Sequence, residues 1–122
     1  MEHVAIMKKS WGLTKKILDG RKKVESRWYM TKSVPWNCIK EEDTVYFKDS
    51  GEPVTIKTTV AMVERYENLN EEKVMVLLKK IHKAGGIDDS EVDNYVQLFR
   101  KKKYCILIHL KNPQSVTPFN IA

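Results

Sequence analysis

The run from Val54 to Val63 constrains this chain more than any other segment. Val54, Ile56, Thr58, Val60 and Met62 fall on one side, and Thr55, Lys57, Thr59, Ala61 and Val63 on the other. Strict period-two alternation, rich in β-branched residues, reads as a strand, and a strand of that length is expected to curl around a barrel. Asp49-Ser50-Gly51-Glu52-Pro53 before it carries turn chemistry, so Thr44 to Lys48 is its hairpin partner. Tyr104 to Leu110 is a further strong strand, and Val116 to Ile121 is expected as a separate edge strand after Pro113.

Shorter elements fill the rest. His3 to Met7 suits a buried strand. Ser10 is expected to cap a helix with Leu13, Ile17 and Leu18 on its apolar stripe and Gly20 at its left-handed end. Lys23 to Tyr29 reads as a strand, followed by a loop to Lys40 that contains Pro35 and Trp36. Asn70 is a good N-cap, with Leu69 and Val74 as a staple, and Val74, Leu77, Leu78 and Ile81 form a helical stripe closed by Gly85-Gly86. A second helix starts at Asp88 or Asp89, buries Val92, Tyr95, Val96 and Phe99, and ends in the basic run Arg100 to Lys103. The expected architecture is α+β: a small mixed β-barrel with helices packed outside it. No repeat or Pro/Gly-rich linker interrupts the 122 residues, so residues 1–122 are expected to form one domain.

Charge is distributed unevenly. The net charge is +6, yet residues 1 to 40 alone sum to +7 and the remainder to −1. A basic first third points to a polyanionic partner. No apolar run is long enough to span a bilayer and no signal-peptide layout is present, so a cytoplasmic protein with no membrane partner is expected. Cys38 and Cys105 are too far apart for a metal knuckle and are expected as free buried thiols. His3, His82 and His109 lack metal-ligand spacing, and Gly85-Gly86 lacks the strand-to-helix setting of a phosphate loop, so neither metal nor cofactor is expected.

The chemistry concentrates between Gly20 and Tyr29. Glu25 and Arg27 are two apart on a strand, so they share a face roughly 6–7 Å apart, with Ser26 turned away. Lys22, in the turn before the strand, is expected to bring a flexible ammonium to the same opening and keep Glu25 ionised. Trp28, Tyr29 and Trp36 stand among Arg27, Lys32 and Lys40, and aromatic faces beside cations are what unpaired bases stack upon. Glu64, Arg65 and Glu67 lie near the exit of the long strand, without an assigned role.

Gly20-x-Lys22-x-x-Glu25-x-Arg27, followed by Trp28, resembles the hallmark of the ASCH domains, whose fold is similar to the RNA-binding PUA barrel. Ile17-Leu18 and the Asp43-Thr44-Val45-Tyr46-Phe47-Lys48-Asp49-Ser50-Gly51 hairpin resemble the family as well. The resemblance implies a basic cleft between barrel and helices that receives RNA or a nucleotide, with Lys22, Glu25 and Arg27 at its floor. It also implies an enzymatic alternative. Some members are reported as nucleases, and one small branch hydrolyses acetylated cytidine, in which case Lys22 and Glu25 would be the catalytic pair. That branch has a threonine where this chain has Glu25, so a carboxylate here would act as a general base or as a hydrogen-bond acceptor. A third class of function, a protein-interaction module, would use the exposed face of the two middle helices.

Overall fold

The computed structural model describes residues 1–31 and 38–121. Five strands run in the order β1 (Glu2–Met7), β3 (Thr44–Asp49), β4 (Val54–Tyr66), β5 (Tyr104–Phe119) and β2 (Val24–Tyr29) across one sheet, numbered along the chain. β1 and β3 are parallel and every other pair is antiparallel. Three α-helices complete the described structure: α1 (Leu13–Leu18), α2 (Glu71–Ile81) and α3 (Val92–Phe99).

The expected barrel is an open sheet. β1 and β2 are its two edges, and no ladder joins them among the described residues. The sheet nevertheless curls far enough for an Arg27 Nη2 on β2 to lie 3.8 Å from the Met7 sulfur on β1. Curling follows from register shifts in the β4–β5 ladder at Val54/Ile56, Lys57/Thr59 and Val60/Met62, since each bulge bends its strand and adds twist. The last shift also ends the alternation: Val54, Ile56, Thr58 and Val60 are buried, while Met62 is exposed. Glu64 and Arg65 therefore belong to β4 itself, which runs three residues past Val63.

Two apolar clusters lie on opposite faces of the sheet. Inside the curl, Ala5, Val45, Phe47, Ile56, Ile106 and Ile108 pack with Leu13 and Ile17 of α1. On the other face, Val24, Trp28, Cys105 and Leu107 pack against Val74, Leu78 and Ile81 of α2 and Val92 and Val96 of α3. Alternation sorts β2 in the same way, sending Val24 and Trp28 toward the helices and Glu25, Arg27 and Tyr29 into the curl.

Four local expectations are corrected. Ser10 caps no helix: Lys9–Trp11 form a single 3₁₀ turn, and α1 starts only after Gly12, whose φ of 63° is a left-handed conformation that stops a helix passing through it. Leu18 is exposed, because so short a helix buries only Leu13, Thr14 and Ile17. β5 is one strand rather than two: Pro113 sits inside it, beyond the stretch that pairs with β2, where its missing N–H removes no ladder bond on the open side. Cys38 is exposed while Cys105 is buried. The α2 N-cap forms as expected, with the Asn70 side chain accepting from the Lys73 N–H at 2.9 Å.

Candidate nucleotide site

Lys22 folds inward because two segments cross beside it. An isolated antiparallel bridge pairs it with Gly85 in the α2–α3 connection, and the Lys23 and Val24 N–H groups both donate to the Ala84 carbonyl. Its ammonium is buried and donates to the Val24 and Gly85 carbonyls, each at 2.8 Å, with Glu25 Oε1 at 3.3 Å. Those three contacts match the donors an ammonium has. The flexible lysine expected from sequence is thus a fixed one. Burial pushes its pKa below the usual lysine range, while the Glu25 carboxylate pulls the other way.

Glu25, itself buried, takes a second cation: Arg27 Nη2 donates to its other carboxylate oxygen at 2.9 Å. Two cations around one carboxylate leave a locally positive floor, and the carboxylate still has lone pairs for an incoming N–H. The floor belongs to a cavity of about 240 Å³ in the gap between the two edge strands, under Trp11 and the α3 aromatics Tyr95 and Phe99. Lys22, Glu25, Arg27, Trp28 and Tyr29 all line it. Burial raises the Tyr29 pKa, opposed by Arg27, so its hydroxyl is neutral at physiological pH.

Trp28 is corrected in its role. One face is stacked on Phe99 at 5.1 Å with 9° between planes, and its Nε1 donates to Ser26 Oγ at 2.9 Å. It is a buried wall of the cavity, not an open platform. Lys32 and Trp36 fall outside the described residues. Glu64 accepts from Tyr66 and pairs with His109 at 2.7 Å, and the Arg65 guanidinium donates to the Ile39 carbonyl at 2.6 Å, so these side chains serve the sheet away from the cavity. His82 pairs with Asp89 and His3 with Asp43. Among the described residues no cluster of His, Cys, Asp and Glu could hold a metal. No helix of the described residues is long and apolar enough to cross a membrane.

Sequence reasoning missed Lys8, Trp11 and the outward role of Tyr95. Lys8 and Trp11 sit at the exit of β1, where the Lys8 ammonium lies 5.5 Å from the Trp11 ring centroid and Tyr95 meets that ring edge-on at 5.3 Å. The available signal was a tryptophan between two basic pairs, Lys8-Lys9 and Lys15-Lys16.

A curled mixed sheet with a charged cavity between its open edges, backed by a helical layer, defines an α+β fold. Comparison with solved structures narrows this: the fold is that of the ASCH domains. A Zymomonas mobilis ASCH structure matches 98% of this chain and 73% of its own at a TM-score of 0.70 and 16% identity. The ASCH domain of Lactobacillus crispatus matches 90% of this chain and 78% of its own at 0.58 and 12% identity, and the N-terminal domain of Staphylothermus marinus McrB matches 97% and 76% at 0.53 and 14%. No protein-family model matches the chain, and no curated protein matches it significantly in sequence.

Proposed function

We propose that residues 1–122 form a single ASCH domain that binds an unpaired RNA base or a nucleotide in the cavity between β1 and β2. The observation that carries this is the buried Lys22–Glu25–Arg27 group at the floor of an aromatic-walled cavity. Glu25 offers acceptor lone pairs to a ring or exocyclic N–H, and Arg27 offers donors to a carbonyl edge or phosphate, both in a setting where such bonds discriminate because water is largely excluded. Lys22 holds Glu25 in place. Because its donors are spent on two carbonyls and that carboxylate, the arrangement favours holding a base over moving a proton. Tyr29 and the buried Trp28 complete the walls, and Lys32 and Trp36, outside the described residues, are assigned to the same ligand on their residue types alone. At about 240 Å³ the cavity is smaller than the roughly 300–1,000 Å³ of drug-sized ligand sites, which suits one base. The fold-level likeness to ASCH domains supports the same reading.

Titration of the intrinsic tryptophan fluorescence with single-stranded oligoribonucleotides over a salt series tests it. Saturable quenching, weakening as salt rises and lost in Glu25→Gln and Arg27→Met, is expected. A response that is flat, or unaffected by both substitutions, overturns the assignment. Release of acetate from acetylated cytidine, abolished by Glu25→Gln, would replace binding with hydrolysis.

A further inference from the structure

We infer that the ligand spans two nucleotides, with the second lying along the groove that continues from the cavity past Trp11 and the linking phosphate held by Lys8. This rests on the base-binding reading above and extends it. The groove, about 550 Å³, shares Lys8, Trp11 and Tyr95 with the cavity, so the two hollows adjoin along those side chains. A single base and its sugar leave the larger half empty.

The residues at the junction suit that second unit. Trp11 leaves 37% of its surface open, belongs to neither apolar cluster, and is set in a 3₁₀ turn whose geometry Gly12 fixes. The Lys8 ammonium sits over it without a carboxylate partner among the contacts the structure gives it, so a phosphate in the trough would gain a cation, and a base would gain an aromatic surface. Segment 8–23 carries seven Lys or Arg against Asp19 alone, and Lys8, Lys16 and Lys22 of these line the two hollows.

Charge also sets where the trough ends. Beyond the shared residues it is bordered by Lys16, Asp88 and Glu91. Lys16 is already committed, donating to the Gly86 carbonyl at 2.7 Å and lying 3.7 Å from Asp88, so the lining of the trough beyond Lys8 holds no cation without a protein partner. A second phosphate there would meet Asp88 and Glu91 and gain no cation of its own. The footprint is therefore two nucleotides with one strongly held phosphate, unlike an extended single-strand track.

Calorimetric titration separates these readings. The probes are the four ribonucleosides, their 3′-monophosphates, and the matching di-, tri- and tetranucleotides. For the best-bound base, the dinucleotide is expected to bind at least tenfold tighter than the nucleoside, and a third nucleotide to add less than twofold. Lys8→Ala is expected to remove most of the tenfold gain and to reduce the salt slope of dinucleotide binding by about 0.7, the value for one single-strand phosphate contact. Trp11→Ala is expected to remove the remaining gain, with its far-UV circular dichroism checked against the parent. Equal affinity for nucleoside and dinucleotide, a gain that survives Lys8→Ala, or a steady increment with every added nucleotide overturns the two-unit footprint alone. Silence with every probe overturns the base-binding reading with it.

Discussion

A buried ammonium held by two carbonyls and a carboxylate has a different mutational signature from an exposed one. Lys22→Met would leave Glu25 with a single cation and strip the Val24 and Gly85 carbonyls of their donor. Breaking a buried ion pair from one side typically costs about 3–5 kcal/mol, so the urea midpoint of Lys22→Met is expected to fall steeply. Arg27, a quarter exposed along its side chain, should tolerate replacement by Met with a much smaller loss. Reversed ranking of these two variants in equilibrium denaturation would contradict the packing described here. Asp43 supplies a second test. Burial pushes its carboxyl pKa up, but hydrogen bonds from His3 and the Lys40 N–H more than offset this and hold it at about 2, against an ordinary 3.8. A carboxylate depressed on folding contributes stability that is fully present above the unfolded value and lost as pH falls through the folded one. Stability should therefore drop between about pH 4 and pH 2, and Asp43→Asn should flatten that part of the acid-denaturation profile. At this scale the sequence was legible wherever alternation alone decided: Glu25 and Arg27 share a face as period two requires. The fate of Lys22 was hidden because its decisive acceptor, Gly85, lies 63 positions away.

The elements that hold the site are short, and their connections matter more than their interiors. Gly86, in the α2–α3 connection, has a φ of 75°, and a Cβ there would meet the Lys22 Cβ at 3.0 Å and Lys16 Cδ at 3.3 Å. Gly86→Ala therefore combines left-handed strain with a push on the lysine that anchors the floor, and both stability and ligand affinity should suffer. Gly51→Ala, at φ 79° in the β3–β4 turn with open space around it, controls for strain alone: it should cost roughly 1 kcal/mol and leave affinity unchanged. Equal affinity in both variants would disconnect the α2–α3 connection from the site. Element types were readable from periodicity, including the Asn70 cap and the apolar stripe of α2. Their boundaries were misread where a tertiary neighbour intervened. Ser10 has the chemistry of a cap, but the chain turns at Gly12, and Pro113 reads as a break although one side of β5 is open at that point.

Across the whole molecule, the surplus charge of the first forty residues exceeds the net charge of the chain, so the proposed anionic ligand would be drawn chiefly by that third of the sequence. Reversing an outlying cation, for example Lys15→Glu, should slow association with a single-stranded oligoribonucleotide at low salt while leaving dissociation nearly unchanged, as stopped-flow fluorescence would register. A change confined to dissociation would instead place Lys15 in direct contact. The asymmetry was plain in the sequence, whereas closure of the sheet was not: period two marks strands but is silent on whether the first and last of them bond. Here they stop short, and the space a closed barrel would have filled with ladder bonds is the cavity. Lys22 rivets that space to the helical layer through Gly85. If α2 and α3 lift away, the floor loses its anchor while most sheet pairings remain intact. Recognition should thus be an all-or-none property of the docked state, abolished by partial opening well before the molecule unravels.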